Sequence, residues 1–308
     1  MPDYHFLKYA FTKTWIILAP RRAKRPNETI NLHIECPFCP GRENDEEELF
    51  RIGGKYPDDE WNVRVLRNKF PFAPNHEVIV HSQDHHKSFD ELPLKQAELI
   101  IETYHNRYNM NQYYGQVYIF NNHGIDGGES LPHPHTQLVV VPDQVQIDIP
   151  RLEIFTSSSL FPKTQDINGT QQNELKPFII KDFFISCPIM SQWPDEVWIV
   201  PQNRGKTFGQ SSEEERKQLA YIMKRTLRLL DERHGDEFPY NFYIYPGADW
   251  YVRIIPRVKS LGGFEIGTNM YINTQDPEET LEFIKLHFNK NENEPIQEAY
   301  KARYHKSL

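Results

Sequence analysis

A weak internal repeat constrains the fold of this 308-residue chain more than any other feature of its sequence. Glu77-Val78-Ile79-Val80 and the later Lys87-Ser88-Phe89 are echoed by Glu196-Val197-Trp198-Ile199 and Lys206-Thr207-Phe208. The second copy begins 119 residues after the first in both cases, from 77 to 196 and from 87 to 206. Solenoid repeats have periods of only about 20 to 50 residues. The repeat therefore predicts two duplicated α+β halves.

Apolar runs and capping signals predict the individual strands and helices. Short alternating or continuous apolar runs predict strands at residues 15–18, 63–66, 78–80, 117–120, 138–141 and 242–245. Helices are predicted after Pro93, after a capping box that begins at Ser211 or Ser212, and after Asp276-Pro277. The expected fold class is α+β, mainly an antiparallel sheet with packed helices.

The two predicted halves differ in the side chains that can do chemistry. We place one domain at residues 1–155 and the other at residues 176–308, because the polar stretch between them lacks periodicity. The first contains the candidate histidines His85, His133 and His135. The second offers Arg204 and the run 251–255. We therefore expect the first half to be catalytic and the second to be a structural or substrate-binding partner.

Composition excludes several classes of function. A net charge of -8 and a pI near 5.9 give no general basic field, so nucleic acid is not an expected partner. No stretch approaches the roughly 18 apolar residues that span a bilayer, and the start lacks a signal pattern. Three cysteines are too few for a disulfide framework. We expect a cytoplasmic protein that does not enter a membrane.

The segment His133-Pro134-His135-Thr136-Gln137 is the strongest candidate for a reactive site. Alternate side chains of an extended chain share a face, so both imidazoles and the carboxamide are expected to project together. A neutral imidazole can attack phosphorus and pass the group on as a reactive phosphoramidate. We take His135 as the nucleophile and Gln137 as a hydrogen-bond donor to a phosphoryl oxygen.

A glycine-rich loop at residues 121–130 precedes this segment, with three of the 15 glycines, including Gly128, within five residues. Such a loop can offer backbone N–H groups to phosphate oxygens. The alternative is a surface loop that is only incidentally rich in glycine. Four cations within residues 21–25 are a second phosphate candidate, a clamp for a diphosphate. The alternative there is a solvated run of charge.

Cys36-Pro37-Phe38-Cys39 has the two-residue spacer that lets two thiolates bind one metal ion. A tetrahedral zinc needs two further ligands, for which His133 and either His85 or His86 are the candidates. Such a closed site has a structural role, because no coordination position is left for water. A redox pair and two incidental buried cysteines are the alternatives.

These motifs in this order resemble the galactose-1-phosphate uridylyltransferase family of the histidine-triad superfamily, from the arginine-rich segment to Pro277-Glu278-Glu279. The most specific parts are the cysteine pair and the histidine pentapeptide. The resemblance implies two histidine-triad-like halves, of which the second lacks the catalytic histidines. It also implies a zinc site whose ligands are Cys36, Cys39, His85 and His133.

The same resemblance implies roles for the remaining candidates. His135 is the residue that becomes nucleotidylated. The phosphate contacts are Gln137 and Ser130, the nucleotide-site residues are Asn68 and Asn122, and the diphosphate ligands are Arg22 and Arg25. The segment Gly262–Gly267, with Glu265 at its centre, resembles one that helps form a sugar-phosphate site across a homodimer interface.

The implied reaction exchanges a nucleoside monophosphate, UMP first among the candidates, between a nucleotide sugar and a hexose 1-phosphate. One alternative keeps His135 and changes the acceptor to phosphate or water, which gives a phosphorylase, such as an ADP-glucose phosphorylase, or a hydrolase. Another is a zinc-stabilised nucleotide-sugar binding protein without turnover. The chain departs from the family pattern at Arg253 and Ile255, where relatives carry a histidine pair of a second metal site, and at Thr136, which replaces a smaller residue or cysteine.

Overall fold

One ten-stranded antiparallel sheet organises the protein. The computed structural model describes residues 4–24, 35–55, 60–152, 164–172, 175–235 and 238–290. The strands of the large sheet are β3 (Glu48–Ile52), β4 (Val63–Arg67), β5 (Glu77–Val80), β6 (Gln116–His123), β7 (His135–Val141), β10 (Phe178–Ile180), β11 (Phe183–Ser186), β12 (Val197–Pro201), β13 (Tyr240–Ile244) and β14 (Val252–Pro256). Two small hairpins pair β1 (His5–Lys8) with β2 (Trp15–Leu18) and β8 (Thr164–Gln165) with β9 (Gln171–Gln172).

The strand order of the large sheet is equivalent when read from its centre to either edge. It runs β10-β11-β12-β14-β13-β6-β7-β5-β4-β3, so each half contributes five strands in the same relative order. The halves join where β6 pairs antiparallel with β13, with Asn122 opposite Asn241. The predicted fold class, α+β with a mainly antiparallel sheet, is confirmed.

The helices α1 (Leu94–Asn111), α2 (Glu213–His234) and α4 (Pro277–His287) cover one face of this sheet. The short helix α3 (Gly263–Thr268) lies on the other face. The main core lies between the sheet and α1, α2 and α4, where side chains such as Ile101, Leu138, Leu227 and Phe283 are buried completely. Burial of this apolar surface is the main source of stability. No described helix has the length and apolar character needed to cross a membrane.

The capping signals locate the helix starts well. Helix α2 begins after Ser212, whose hydroxyl accepts from the Glu215 N–H while the Glu215 carboxylate accepts from the Ser212 N–H. The capping box thus uses Ser212 rather than Ser211. Helix α4 follows Asp276, whose carboxylate caps Glu278 N–H. Helix α1 has no side-chain cap and begins directly after Pro93.

The sequence repeat does not superpose exactly on the structural repeat. Glu77 points to the helix side of the sheet, where its carboxylate pairs with Arg107 of α1. Glu196, its counterpart 119 residues later, pairs instead with Arg253 within a cluster on the opposite face. A shift of one residue along a strand moves a side chain to the other face. The 119-residue offset is therefore wrong for the strands by one residue, although it does match Phe89 with Phe208, both of which are buried in the main core.

Candidate active site

Strand β7 places the candidate nucleophile near the middle of the first half of the sheet. It lies between β5 and β6, with His135 opposite Val80 and Gln137 opposite Val78 and Phe120. His135 and Gln137 project from the face opposite the helices, as the alternation predicts. Thr136, between them, points to the helix side, where its hydroxyl oxygen lies 2.7 Å from His81 Nε2 and 2.6 Å from the Tyr104 hydroxyl. These contacts fix the strand to α1.

Backbone contacts determine which nitrogen of His135 can react. Its Nδ1 lies 2.8 Å from the carbonyl oxygen of His133, and a carbonyl can only accept a hydrogen bond. The proton of the neutral ring is therefore on Nδ1, which leaves the lone pair on Nε2. Asn121 donates to the carbonyl of His135 itself at 2.7 Å and holds the strand at this point. The geometry prepares Nε2 as a nucleophile.

A cavity of about 510 Å³ opens beside the His135 ring. Its wall includes Phe38 from the cysteine segment and Asn68 and Phe70 from the loop after β4. The ring of Phe38 contacts the His135 ring edge-on, with centroids 5.3 Å apart. The imidazole is buried yet borders a space that can admit a ligand, so it is not enclosed by the core.

Four side chains come together as a potential metal site next to Phe38, which lines this cavity. The ligand atoms of Cys36, Cys39, His85 and His133 lie within 4.8 Å of one another. The Cys39 sulfur is 3.1 Å from His85 Nδ1 and 3.6 Å from His133 Nδ1. Both cysteines are free thiols, and His85 rather than His86 belongs to the cluster. Two thiolates and two imidazoles are a donor set typical of structural zinc.

The surroundings of His133 suit it to metal binding. Its Nε2 donates to the Ser82 carbonyl at 2.9 Å, which directs Nδ1 toward the cysteine sulfurs. Burial lowers the pKa of His133 to about 4, so the ring is neutral at pH 7, as a metal ligand must be. The His133 backbone carbonyl also accepts a hydrogen bond from His135 Nδ1, so the potential metal site and the candidate nucleophile both involve His133.

The Gln137 carboxamide is held by a residue that the sequence did not indicate. Its oxygen lies 3.0 Å from Nε2 of His76, an almost fully buried ring at the start of β5. The same Nε2 is 3.1 Å from the side-chain nitrogen of Asn68. Asn68, predicted to contact the nucleotide, therefore lies beside the contact between His76 and Gln137 and also lines the cavity.

The glycine loop is not built as predicted. The N–H groups of Gly127, Gly128 and Glu129 donate to carbonyls within the loop, and Gly124 N–H donates to the Glu129 carboxylate. These amides are therefore used internally, and the prediction that they bind phosphate is wrong. The glycines serve close packing instead, since a Cβ on Gly127 would lie 2.9 Å from the Tyr240 carbonyl oxygen.

Ser130 and Asn122 occupy different surroundings at the two ends of this loop. Ser130 is buried, and among the described residues its hydroxyl has no hydrogen-bond partner. Its neighbour Leu131 lines the His135 cavity. A buried, unpaired hydroxyl is costly unless a ligand uses it. Asn122 contacts Asn241 of β13, whose amide nitrogen lies 2.9 Å from the Asn122 side-chain oxygen.

The predicted diphosphate ligands are only partly described. Arg22 donates to the Phe70 carbonyl at 2.6 Å, and its guanidinium lies over the Phe72 ring at 4.8 Å. This position is beside the loop that forms the cavity wall. Burial lowers the pKa of Arg22. Arg25 lies outside the described residues.

Glu265 lies away from the nucleophile within the described chain. Its carboxylate accepts from Lys259 and from the Gly262 N–H, at 2.9 and 3.1 Å, and so caps α3. It is not among the residues that line the His135 cavity. A second groove, lined by residues 266–269 and by Phe72 and Phe120, lies farther along the same face of β7.

The second half has an ion pair where the sequence departs from the family. The Arg253 guanidinium binds the Glu196 carboxylate at 2.7 and 2.8 Å, and both side chains are buried. Trp198 and Tyr243 flank the guanidinium. Among the described residues, a metal-binding group of Cys, His and acidic side chains is found only in the first half.

Comparison with known proteins identifies the relatives of this chain. Residues 69–141, which contain His76, β7 and the glycine loop, match the family described as galactose-1-phosphate uridyl transferase, N-terminal domain. The resemblance to the galactose-1-phosphate uridylyltransferase family is confirmed. This is a family of nucleotidyltransferases.

Two relatives match most of the chain. It is 26% identical over 323 residues to ADP-glucose phosphorylase of Arabidopsis thaliana, covering 89% of this chain and 90% of that protein. It is 25% identical over 305 residues to galactose-1-phosphate uridylyltransferase of Thermotoga maritima, with 89% and 95% covered. The crystal structure of the Arabidopsis phosphorylase with bound ADP-glucose has a TM-score of 0.68 at 24% identity, over 92% of this chain and 98% of that one. This structural likeness establishes the fold.

Proposed function

We propose that the protein transfers a nucleoside monophosphate, UMP as the first candidate, between a nucleotide sugar and a hexose 1-phosphate through a covalent nucleotidyl-His135. One observation carries the proposal. The His135 Nδ1 proton is directed to the His133 carbonyl, which leaves the lone pair on Nε2, and His135 lines a cavity of about 510 Å³. The match of residues 69–141 to this family supports nucleotidyl transfer as the reaction class.

The proposed reaction has two displacements at one phosphorus atom. The Nε2 lone pair of His135 attacks the α-phosphorus of the nucleotide sugar while the bond to the bridging oxygen breaks, and a sugar 1-phosphate leaves. A phosphate oxygen of the second sugar 1-phosphate then attacks the same phosphorus, and the phosphorus–nitrogen bond breaks. Nδ1 stays hydrogen-bonded to the His133 carbonyl throughout, which stabilises the charge on the modified ring.

Neutral and cationic donors around the ring are suited to the charge on phosphorus. Gln137 lies two residues along the same face, and its amide nitrogen is available to a non-bridging oxygen. The unpaired Ser130 hydroxyl is a second donor. Arg22, beside Phe70 and Phe72, supplies positive charge for a diphosphate. Arg25 is a further proposed substrate contact, and Asn68 and Asn122 are proposed for the nucleoside.

Cys36, Cys39, His85 and His133 are proposed to hold zinc. A bound zinc at this closed site would supply rigidity rather than a Lewis acid for the substrate, because four protein ligands complete its coordination. His133 connects this rigidity to the reaction, since its backbone carbonyl orients the His135 ring.

Inorganic phosphate is a second candidate acceptor. The specific observation in its favour is the match to a relative named ADP-glucose phosphorylase, which covers 89% of this chain. The two reactions share the first step and differ only in what attacks nucleotidyl-His135. A phosphorylase would release a nucleoside diphosphate, whereas a transferase would release a new nucleotide sugar.

A homodimer is the proposed assembly. Large apolar side chains on and after α3 are exposed, with Phe264 at 53%, Ile266 at 72% and Met270 at 56% exposure. They belong to the same segment as Glu265, the proposed sugar-phosphate residue. Contiguous exposed apolar side chains are typical of interaction surfaces. Light scattering after size exclusion should give twice the 36.5 kDa chain mass, and a single-chain mass would contradict the proposal.

Labelling with nucleotide sugars tests the nucleophile. The protein is incubated with UDP-glucose or ADP-glucose carrying a labelled α-phosphate and then denatured. We expect an acid-labile, base-stable label that His135→Ala loses and that His105→Ala, a histidine of α1 bonded to the Gly209 carbonyl, retains. A label that persists in His135→Ala would show that His135 is not the nucleophile. Binding without any label would favour the non-catalytic alternative.

Chasing the labelled protein with unlabelled acceptors identifies the second substrate. Galactose 1-phosphate, inorganic phosphate and water are compared for the rate at which the label leaves the protein. Release to galactose 1-phosphate supports the transferase, release to phosphate supports the phosphorylase, and release to water alone supports a hydrolase. The donor that labels faster indicates the base.

A further inference from the structure

His76 stands out among the buried groups to which the proposed mechanism gives no role. It is 3% exposed and belongs neither to the potential metal cluster nor to the main core. It lies where the loop after β4 returns to the sheet, following Asn75, whose positive φ of 46° turns the chain into β5. Asparagine is one of the few residues that tolerates this conformation. The turn thus places the His76 imidazole next to the Gln137 side chain.

The protonation state of His76 follows from its neighbours. The Phe72 backbone N–H points at Nδ1 with a nitrogen–nitrogen distance of 3.4 Å, so Nδ1 must carry the lone pair to accept it. The proton of the neutral ring is then on Nε2, which lies 3.0 Å from the Gln137 side-chain oxygen. His76 is therefore the donor and Gln137 the acceptor in this contact, and the Asn68 side-chain nitrogen, 3.1 Å from the same Nε2, does not donate to it.

This contact decides which end of Gln137 meets a ligand. A carboxamide has an oxygen that accepts and a nitrogen that donates, and rotation by 180° exchanges them. With its oxygen bound to His76, Gln137 turns its nitrogen away from the ring. Among the described residues, that nitrogen has no hydrogen-bond partner. A flipped carboxamide would present its oxygen to a phosphoryl oxygen, and two acceptors repel each other.

We propose that His76 is a positioning residue that fixes the Gln137 carboxamide with its nitrogen toward the transferring phosphoryl group. This role rests on the proposed nucleotidyl transfer. His76 would influence that reaction through Gln137, without contacting the substrate itself. His76 is in turn held in place by the Phe72 ring, whose centroid is 4.5 Å from its own. The His76 backbone carbonyl also accepts a hydrogen bond from the Asn68 N–H at 2.9 Å. This bond fixes the loop that forms the cavity wall relative to His76.

Kinetics of paired variants test the role. His76→Leu removes the donor, and His76→Gln restores an N–H that reaches the Gln137 oxygen. We expect His76→Leu to lower kcat about 10- to 100-fold with a much smaller change in KM, because the donor acts mainly on charge that develops in the transition state. His76→Gln should recover most of this loss. His287→Leu, a buried histidine of α4, is the matched control and should retain kcat.

A double-mutant cycle separates positioning from general damage to the fold. If His76 acts through Gln137, then His76→Leu should have almost no further effect on kcat in a Gln137→Leu background. Multiplied effects of the two substitutions would overturn the proposal, and so would a His76→Leu enzyme with normal kcat. His135 labelling of the parent protein runs alongside. A parent protein that never becomes labelled would overturn the proposed function and with it the role of Gln137, whereas a labelled parent with independent variants would overturn the His76 role alone.

Nuclear magnetic resonance examines the contact without any turnover. The Gln137 side-chain amide signals, assigned by their loss in Gln137→Leu, should move in His76→Leu and stay unchanged in His287→Leu. Unchanged signals in His76→Leu would mean that the imidazole does not hold the carboxamide, which would overturn the proposal whatever the kinetics.

Discussion

Strands β7 and β14 occupy equivalent places in the two halves of the sheet and carry different chemistry. Each lies between two strands of its own half, β7 between β5 and β6 and β14 between β12 and β13. On the face opposite the helices, β7 presents His135 and Gln137, whereas β14 presents Arg253, paired with Glu196. The two halves therefore share their strand arrangement, while the polar side chains on it differ: one half carries the candidate site and the other a buried ion pair.

The comparison also shows how the second half contributes to the first. Asn241 of β13 donates to the Gly127 carbonyl at 2.7 Å and contacts Asn122, so it holds the loop that leads into the candidate site. Arg257 donates in turn to the Asn241 oxygen at 2.9 Å. The second half thus contacts the loop beside the candidate site of the first.

Loss of the metal cluster should have the largest effect and should be confined to the first half. Cys36→Ala is expected to reduce bound zinc from about one equivalent per chain to almost none and to lower the free energy of unfolding by on the order of 5 kcal/mol, since metal binding contributes directly to folding. Cys187→Ala, at a buried cysteine of the second half, should keep the metal and cost about 1 kcal/mol. Elemental analysis and urea unfolding measure both.

Equal metal content in the two cysteine variants would remove the basis for a zinc site. A metal-free preparation of the parent protein with full stability would do the same, because the four side chains would then pack stably without a bound metal ion.

The Arg253–Glu196 pair should matter to stability and not to the reaction. Arg253→Met leaves the Glu196 carboxylate buried without its partner, which typically costs about 3–5 kcal/mol. Replacing both, with Glu196→Leu added, should restore most of the stability because no charge remains unpaired. Urea unfolding measures the cost. A fall in kcat of the folded double variant would show that β14 takes part in the reaction after all.

Acid should weaken the second half through Asp195. Burial alone raises the pKa of this carboxyl group, but the proximity of His234 and the charge of Arg233 outweigh it and lower the pKa to about 2. A depressed pKa means that the stabilisation is complete above the unfolded value of 3.8 and is lost as the pH falls toward 2. The loss should be about 2 kcal/mol.

The pH dependence is measured as the difference between parent and Asp195→Asn in urea unfolding from pH 6 to pH 2. The difference should shrink as the pH falls, because Asp195 of the parent protein becomes protonated and its stabilisation is lost. The other carboxyl groups titrate in both proteins, so their contributions cancel. A constant difference over this range would mean that the Asp195 pKa is not depressed by folding.

Local patterns in the sequence predicted some features well. The apolar run 138–141 predicted the second part of β7, and the Ser212 and Asp276 caps follow directly from residue type and spacing. The Cys-x-x-Cys spacing pointed to a metal site, and the family resemblance gave the four side chains that cluster in the structure. In these cases the physical signal is contained within a few neighbouring residues.

Other features depend on which strands pair, and no short segment reveals that. His76 contacts Gln137 from 61 positions away, and Asn241 contacts Asn122 from 119 positions away. The opposite faces of Glu77 and Glu196 depend on a register difference of one residue. The choice of His85 over His86 depends on the path of the bend after β5. The glycine loop misled for a related reason, because its amides close on the loop itself and its glycines meet β13.

The contact between halves at Asn241 gives the smallest expected effect and the most direct test of whether the halves act together. Asn241→Ala removes hydrogen bonds to the glycine loop and should cost about 1 kcal/mol of stability. If the loop sets the position of Ser130, kcat should also fall by about fivefold, which corresponds to about 1 kcal/mol in the barrier. Asn273→Ala is the matched control, since Asn273 also bonds a backbone carbonyl, that of Ser191, but within the second half. It should cost similar stability and leave kcat unchanged. Equal kcat in both variants would mean that the second half supports the fold of the first without shaping its site.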